Sequence, residues 1–288
     1  MNKTSVIVSY PLCLFAAILL WLGLPFTSLA QAEMALEEIT DFGSNPGNLR
    51  MFIGMPDELP EGVPLVVALH GCTQTAAAFD DETGWAKYAV LWRFALLLPE
   101  QRPINNGQRC FNWFRRTDAS RDQGEALSIR QMIAALQTRH AINPERIYIT
   151  GLSAGGAMTS VMLATYPEVF AGGAIMAGVP YGCASGMLSG FWCMLWGRDL
   201  DAAEWEAKVR HATAGLSLAR RPAKLSLWQG DEDGWVVEMN QQELLEQWSA
   251  VFGIDSNRKY RITFTDSRMR HTTIRRVHRV WKPIRSRG

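Results

Sequence analysis

The sequence has almost no net charge, few clustered metal-binding residues and no apparent repeats. Each of these features argues against a class of function. Its 29 Lys and Arg are balanced by 28 Asp and Glu, for a formal net charge of +1. A near-neutral chain gives no electrostatic reason to expect a nucleic-acid partner. Histidine and cysteine number five each, and neither a CxxC pair nor a His/Cys cluster indicates zinc. We therefore expect no metal and no cofactor.

Repeats, low-complexity linkers and a second domain are also not apparent along the chain. The 288 residues are 48% apolar and 20% charged, which is enough to bury the core of one large domain. Charge is unevenly placed, however. From Val251 onward, 11 Lys and Arg face only two acidic residues, and the remainder carries a net charge of −8. We expect a solvated basic extension there, with an arm that binds polyanions or the cell envelope as the alternative.

The N-terminal segment has the pattern of a secretion signal. Lys3 precedes an apolar run over residues 6–26, and small residues at 28–30 and 30–32 offer cleavage sites. We interpret residues 1–32 as a signal peptide, with a retained membrane anchor as the alternative because the run is long. The mature protein is then expected to be secreted or periplasmic, with no stable membrane partner.

Four cysteines follow this segment, namely Cys72, Cys110, Cys183 and Cys193. An even number of cysteines in an oxidising compartment suggests disulfides, and four cysteines allow three pairings. The short spacing between Cys183 and Cys193 favours one small closed loop. That pairing would leave Cys72 to bond with Cys110.

Apolar segments of strand length alternate with segments of helical periodicity. Strands are predicted within residues 64–71, 94–100, 146–150, 172–180 and 223–230, and helices within 121–142, 154–167 and 240–253. This alternation predicts an α/β fold with a mostly parallel sheet and helices on both faces. In such sheets ligands bind beyond the carboxyl ends of the strands. We expect a catalytic domain at 33–256, completed by the basic segment 257–288.

The segment "ITGLSAGGAM" (149–158) places Ser153 in a G-x-S-x-G pattern between a predicted strand and a predicted helix. This context is typical of a nucleophile elbow, in which a sharp turn presents the serine hydroxyl. A tight strand–helix junction is the alternative, but it would explain the glycines and not the serine. The backbone N–H groups of Ala154 and of Cys72, in the loop "LHGCTQ", are candidate oxyanion donors.

A serine nucleophile needs a base and an acid, which in α/β-hydrolases follow it in the order acid, then histidine. The strand-end segment "QGDEDGWV" offers three acids, Asp231, Glu232 and Asp233. Two histidines, His271 and His278, come later in the chain and are the candidate bases. Of the other three, His70 fits loop positioning, His140 lies at a helix end and His211 lies in an exposed helix.

At this point the chain resembles the polyhydroxybutyrate depolymerase-type esterases, a family that also includes feruloyl and acetylxylan esterases. The resemblance covers about residues 44–250 and is carried by ordered segments, "LVVALHGCTQTAAAF", "GWAKYA", "LLLPEQ", "CFNWF", "GEALSIRQMI", "NPERIYITGLSAGGAM", "PEVFAGGAIMAGVPYGCA" and "QGDEDGWV". It implies an α/β-hydrolase fold, a secreted serine esterase, and the disulfides Cys72–Cys110 and Cys183–Cys193.

The resemblance also implies site residues. The family's "HGxxD" pattern places the acid at Asp233, with Gln229 where histidine is usual. Its "GMGH-x-T" pattern places the base at His271, here within "RMRHTT", where arginine occupies both glycine positions. Such arginines would lower the pKa of the imidazole if they faced it. The resemblance further suggests that Trp113 lies near the acyl site.

The expected reaction is hydrolysis of a carboxylic ester through an acyl-enzyme. Polyhydroxybutyrate oligomers, feruloyl esters and acetylated sugars are the candidate substrates. Trp192, Trp196 and Trp235 would either line an acyl cleft or belong to the core. The altered C-terminal pattern raises a second hypothesis, a secreted hydrolase-like binding protein with impaired catalysis.

Overall fold

The structure is a computed structural model that describes residues 34–213, 215–216 and 224–254, together with the strand backbones of 261–263 and 269–274. The predicted signal peptide, His278 and most of the basic C-terminal segment lie outside the described residues. Among the helices of the described ranges, none is long and apolar enough to cross a membrane.

Nine strands in the described ranges form one sheet, in the order β1-β2-β4-β3-β5-β6-β7-β9-β8. The five central strands run parallel, and the pairs at both edges are antiparallel. The expected mostly parallel sheet is therefore confirmed. The strands are β1 (Glu37–Ile39), β2 (Arg50–Gly54), β3 (Val63–Leu69), β4 (Ala95–Glu100), β5 (Ile142–Leu152), β6 (Gly172–Met176), β7 (Lys224–Gly230), β8 (Arg261–Thr263) and β9 (Met269–Ile274).

Helices pack on both faces of the sheet because the central strands are apolar on both sides. Along β3, Val67 and Leu69 belong to one buried cluster, whereas Ala68 between them belongs to a second. The second cluster includes residues of α1 and α2, and the first includes residues of the other five helices. Within the described ranges the helices are α1 (Ala76–Thr83), α2 (Trp85–Trp92), α3 (Gly124–Arg139), α4 (Ala154–Thr165), α5 (Met187–Trp196), α6 (Ala202–Ala212) and α7 (Met239–Phe252).

The predicted elements of the central sheet are present, with one notable shift. The strand predicted at 146–150 begins earlier, at Ile142, because Val63 at the start of β3 pairs with Ile142 across a register irregularity. The edge strands and the helices α1, α2, α5 and α6 had no sequence prediction. Of these, α5 matters most for function because it borders the cavity described below.

Candidate active site

Ser153 occupies a sharp turn between the end of β5 and the start of α4. Its backbone angles are φ 55° and ψ −115°, a conformation that non-glycine residues rarely adopt and that costs roughly 1–3 kcal/mol. The turn is held in place by the Ser153 N–H, which donates to the carbonyl oxygen of Met176 at 2.9 Å. Strained backbone at a partly exposed serine, directly before a helix, is the geometry of a nucleophile elbow.

The glycines of the G-x-S-x-G pattern are required by close backbone packing. A Cβ atom at Gly151 would collide with the carbonyl of Gly155, and one at Gly155 would collide with the carbonyl of Leu69 on β3. A Cβ at the next residue, Gly156, would lie 2.5 Å from the carbonyl oxygen of Met176. The turn therefore fits only with glycine at these positions, which is why the pattern was informative in the sequence.

The two residues predicted to supply oxyanion donors, Ala154 and Cys72, both lie near Ser153. The N–H of Ala154 is the first of α4, and the first N–H groups of a helix have no intrahelical acceptor. The loop after β3 packs against the nucleophile, since a Cβ atom at Gly71 would lie 3.7 Å from the Cβ of Ser153. Cys72, the next residue of this loop, lines the same cavity as Ser153.

His70 fixes the orientation of the peptide that carries the Cys72 N–H. Its Nε2 accepts from the backbone N–H of Gln101 at 3.0 Å, and its Nδ1 lies 2.7 Å from the carbonyl oxygen of Gly71. An N–H can only donate, so Nε2 is unprotonated and Nδ1 must carry the proton given to Gly71. The C=O and N–H of one trans peptide point in opposite directions. The Cys72 N–H is thereby directed away from His70.

The imidazole of His70 is not available as a base. It is buried, 1% exposed, and packs against the ring of Phe111 at a centroid distance of 4.8 Å. Burial is the main cause that lowers its pKa, which keeps the ring neutral. The expectation that His70 serves loop positioning agrees with these contacts. His140 caps the end of α3 and His211 is exposed on α6, and neither lines the cavity.

Further contacts hold the loop formed by residues 69–74, which we call the oxyanion loop because it carries the candidate donor Cys72. Cys72 forms a disulfide with Cys110, and the N–H of Thr73 donates to the carbonyl oxygen of Gln108 at 2.6 Å. The side chain of Gln74 accepts from the Gly71 N–H at 2.7 Å. Preorganised donors of this kind stabilise a developing oxyanion without reorganisation at the moment of reaction. The second disulfide, Cys183–Cys193, attaches α5 to the loop before it.

Of the three acids after β7, Asp233 is the one held by several hydrogen bonds. Its Oδ1 accepts from the backbone N–H groups of Trp235 and Val236 at 2.9 and 3.0 Å. Its Oδ2 accepts from Nε2 of Gln229 at 3.2 Å, so the glutamine at the family's histidine position supports the acid. Asp231 and Glu232 are exposed.

His271 lies on β9, which pairs antiparallel with β7. Its backbone is opposite Trp228, and Met269 is opposite Gly230, the last residue before the acidic turn. The strand that carries His271 is therefore the neighbour of the strand that leads to Asp233. The side chain of His271 and the whole of His278 lie outside what the structure describes.

A cavity of about 910 Å³ opens over Ser153 and has two unlike walls. Trp113 and Trp235 also line it; Trp113 is 7% exposed, so it belongs to the core as well as to the cavity. The polar wall consists of Gln74, Glu82, Asn106 and Gln108 beside the Cys72–Cys110 disulfide, and the apolar wall consists of Phe114 with Met187, Phe191 and Met194 of α5.

Trp192 and Trp196 depart from both expectations. They are 55% and 58% exposed, their rings lie 4.2 Å apart, and neither lines the cavity. They are thus part of neither the core nor the cleft. Three of the cavity residues that sequence reasoning missed, Met187, Phe191 and Met194, lie on the same helix. Its sequence, "MLSGFWCMLW", has no charged residue, and this was the available signal that it borders an apolar site.

Comparison with known proteins agrees with this geometry. Residues 51–267 match the family model described as "Esterase PHB depolymerase". The chain is 48% identical over 221 residues to poly(3-hydroxyalkanoate) depolymerase C of Paucimonas lemoignei, covering 77% of this chain and 53% of that protein. It thus spans about half the length of that relative. It is 34% identical over 241 residues to feruloyl esterase B of Thermothelomyces thermophilus, covering 82% of this chain and 81% of that protein.

A solved structure has a similar fold. The acetyl xylan esterase of Aspergillus awamori superposes with a TM-score of 0.73 at 26% identity, covering 78% of this chain and 83% of that chain. The fold, the strained turn at Ser153 and the family model all point to the same family of proteins. The chain belongs to the PHB depolymerase-type esterase family, whose members are carboxylic ester hydrolases.

Proposed function

We propose that this chain hydrolyses carboxylic esters through the triad Ser153, His271 and Asp233. The observation that carries the proposal is the strained Ser153, directly before the first N–H of α4, at an open cavity that Cys72 also lines. In the proposed reaction His271 takes the proton of Ser153 as its oxygen attacks the ester carbonyl. Asp233 orients the imidazole and stabilises its charged form.

The proposed reaction has two stages. The tetrahedral oxyanion is stabilised by the N–H groups of Cys72 and Ala154, and the alcohol leaves with the proton from His271. A water molecule, deprotonated by His271, then attacks the acyl-enzyme; the bond between the acyl carbon and Ser153 breaks, the acid is released, and His271 returns the proton to Ser153. No step requires a metal or a cofactor.

The substrate that we favour is a hydrophobic ester, such as a short polyhydroxyalkanoate oligomer. The support is the apolar wall, in which Phe114, Met187, Phe191 and Met194 border the nucleophile, together with the depolymerase among the relatives. An acetyl group would leave most of this wall uncovered. Feruloyl esters remain the second candidate because an aromatic acyl group would also fill an apolar cavity, and a relative is named for them.

A different hypothesis, a binding protein with impaired catalysis, rests on the C-terminal pattern. Arg268 and Arg270 replace both glycines around His271, and a cationic neighbour facing an imidazole lowers its pKa.

We also propose that the chain acts outside the cytoplasm. The two disulfides support this localisation, since disulfides persist in oxidising compartments.

Turnover of a substrate panel separates these possibilities. Purified protein is tested on p-nitrophenyl acyl esters, methyl ferulate, acetylxylan and amorphous polyhydroxybutyrate. We expect hydrolysis of p-nitrophenyl butyrate to exceed that of the acetate, and measurable release from the polyester. Turnover of acetylxylan alone would overturn the substrate proposal, and no turnover of any ester would favour the binding protein.

Two matched pairs of variants test the triad. His271→Ala should lower kcat by about 10⁴-fold or more, whereas His278→Ala should retain activity. Asp233→Asn should lower kcat by about 10³–10⁴-fold, whereas Asp231→Asn, in the same turn, should change it less than about twofold. A reversed result in either pair would refute that assignment.

A further inference from the structure

The first turn of α3 holds a carboxyl group that the proposed reaction does not use. Glu125 is 1% exposed, and three N–H donors surround its two carboxyl oxygens. Oε1 accepts from Nε2 of Gln101 at 2.5 Å and from Nδ2 of Asn112 at 2.7 Å. Oε2 accepts from the backbone N–H of Asn112 at 2.8 Å. Burying an acid costs free energy, so these contacts call for an explanation beyond packing.

Gln101 connects this carboxyl group to the oxyanion loop. Its backbone N–H donates to Nε2 of His70, whose other nitrogen holds the Gly71 carbonyl. Its side-chain Nε2 also lies 3.2 Å from the carbonyl oxygen of Cys110, the disulfide partner of Cys72. Both attachments of Cys72, one through His70 and one through the disulfide, therefore end at the same glutamine.

Asn112 connects the carboxyl group to the cavity. It directly precedes Trp113, which lines the cavity, and its side-chain oxygen accepts from Nδ2 of Asn106 on the polar wall at 3.1 Å. Gln101 and Asn112 are 0% and 2% exposed. With water excluded, each of their N–H groups depends on the acceptor that the protein provides.

We propose that Glu125 is a positioning residue for ester hydrolysis, whose carboxyl group joins Gln101, behind the oxyanion loop, to Asn112, beside Trp113. The inference rests on the proposed function of Ser153 and extends it to a residue that touches no substrate. Its physical basis is the number of hydrogen-bond acceptors that the side chain at position 125 offers. A carboxyl group in this position offers two oxygens to three amide donors, whereas a glutamine amide offers one oxygen and turns an NH₂ group toward another donor.

The decisive variant is Glu125→Gln, which keeps the shape of the side chain and removes one acceptor. The matched control is Glu243→Gln. Glu243 is also buried, 5% exposed, and its Oε2 accepts from Nε1 of Trp205 at 2.6 Å and from the Leu200 N–H at 3.3 Å, and neither of these donor residues lines the cavity. The control variant therefore reports what losing a buried acceptor does to stability alone.

Kinetics are measured with p-nitrophenyl butyrate, per active site titrated with a phosphonate. For Glu125→Gln we expect kcat to fall by about 10–100-fold, less than the loss of a whole oxyanion donor, with KM within about threefold. Glu243→Gln should keep the wild-type kcat even if its melting temperature falls. An unchanged kcat in Glu125→Gln, or an equal loss in both variants, would overturn the proposal.

A compensating variant distinguishes positioning from simple damage. In Glu125→Gln/Asn112→Asp, the new NH₂ group at 125 can donate to the new carboxylate at 112, which still accepts from Asn106. The amide oxygen of the introduced glutamine remains available to the backbone N–H of residue 112. Nε2 of Gln101 still faces an NH₂ group in this double variant, so the contact toward the oxyanion loop stays broken while the contact with residue 112 is restored. We expect amide exchange at 110–114 to return toward wild type while kcat stays reduced, and this measurement also serves if the single variant fails to fold. A wild-type kcat in the double variant would contradict the role of the Gln101 contact.

Hydrogen exchange separates failure of this inference from failure of the proposed function. Amide exchange in the peptides covering 70–74 and 110–114 should accelerate in Glu125→Gln and not in Glu243→Gln, whether or not the protein turns over an ester. If wild-type protein hydrolyses no ester but this pattern appears, the proposed function fails and the positioning contact stands. Exchange equal to wild type in both segments would refute the positioning role.

Discussion

The two walls of the cavity are built in opposite ways, although a disulfide stabilises each. The polar wall and the oxyanion loop behind it are held by buried hydrogen bonds that run from His70 through Gln101 to Glu125. The apolar wall is largely α5, attached by Cys183–Cys193 and bearing exposed apolar side chains.

This difference suggests that the two walls have different roles in the proposed reaction. Hydrogen bonds are directional, so the polar wall is suited to fixing the angle of a catalytic N–H group. Apolar contact is non-directional and scales with buried area, so the apolar wall is suited to receiving acyl groups of different sizes. Substitutions on the first wall should therefore act on kcat, and substitutions on the second should act on the preference among acyl groups.

Among the substitutions that compare the two walls, the largest effect is expected at His70. His70→Leu keeps apolar contact with Phe111 but removes both hydrogen bonds that orient the Gly71–Cys72 peptide. We expect kcat for p-nitrophenyl butyrate to fall by about 10²-fold, near the cost of losing one oxyanion donor. His211→Leu, at an exposed position of α6, is the control and should have wild-type kcat. A wild-type kcat in His70→Leu would mean that the polar wall does not set the donor geometry.

A smaller and more selective effect is expected on α5. Phe191→Ala should lower kcat/KM for p-nitrophenyl butyrate by about tenfold, because a longer acyl chain loses apolar contact worth about 1–2 kcal/mol. The acetate ester should change by less than about twofold. The adjacent Trp192→Ala, which does not line the cavity, should alter neither value. Equal losses on both esters would remove the distinction between the walls.

The last effect is expected on stability and not on turnover, and it is a pH dependence that Glu125, behind the oxyanion loop, should confer. Burial is the main cause that raises the pKa of Glu125 to about 8; the charge of Asp118 adds to the rise, and the hydrogen bonds from Asn112 and Gln101 oppose it. The native state thus keeps a proton that the unfolded chain releases near pH 4.5. Stability from this group is complete below that pH and is lost as the pH rises toward 8.

The measurement is the free energy of unfolding in urea between pH 5 and pH 8. The wild-type value should fall with pH by up to about 1.4 kcal/mol per unit from this group, and Glu125→Gln should show a shallower slope. Parallel slopes for the two proteins would show that Glu125 does not titrate in this range.

The two walls also differ in how far the sequence predicts them. The turn at Ser153 was predictable because its backbone geometry requires glycines at fixed spacing. The loop at Cys72 was singled out only because it follows an early strand, and its role as an oxyanion donor stays a prediction. Glu125 was not predictable, because an acid in the first turn of a helix ordinarily indicates a solvated end that favours the helix dipole. Its burial arises from packing against Gln101 and Asn112, which no local pattern reveals.

The apolar wall illustrates a second reason. The segment "MLSGFWCMLW" has the composition of a core helix, and only the tertiary arrangement shows that one side borders the cavity while Trp192 and Trp196 face solvent. The candidate acid and base were chosen from their positions after Ser153 in the chain and from the family resemblance. The assignments of Asp233 and His271 remain predictions, because the structure describes only the strand backbone of His271.

The most direct test of the account is labelling of the protein with a serine-directed phosphonate, followed by peptide mass spectrometry. The account predicts one equivalent of label on Ser153, no label in Ser153→Ala, and labelling slowed by several orders of magnitude in His271→Ala. Absence of label in the wild-type protein, or label on another serine, would contradict the claim that Ser153 is an activated nucleophile.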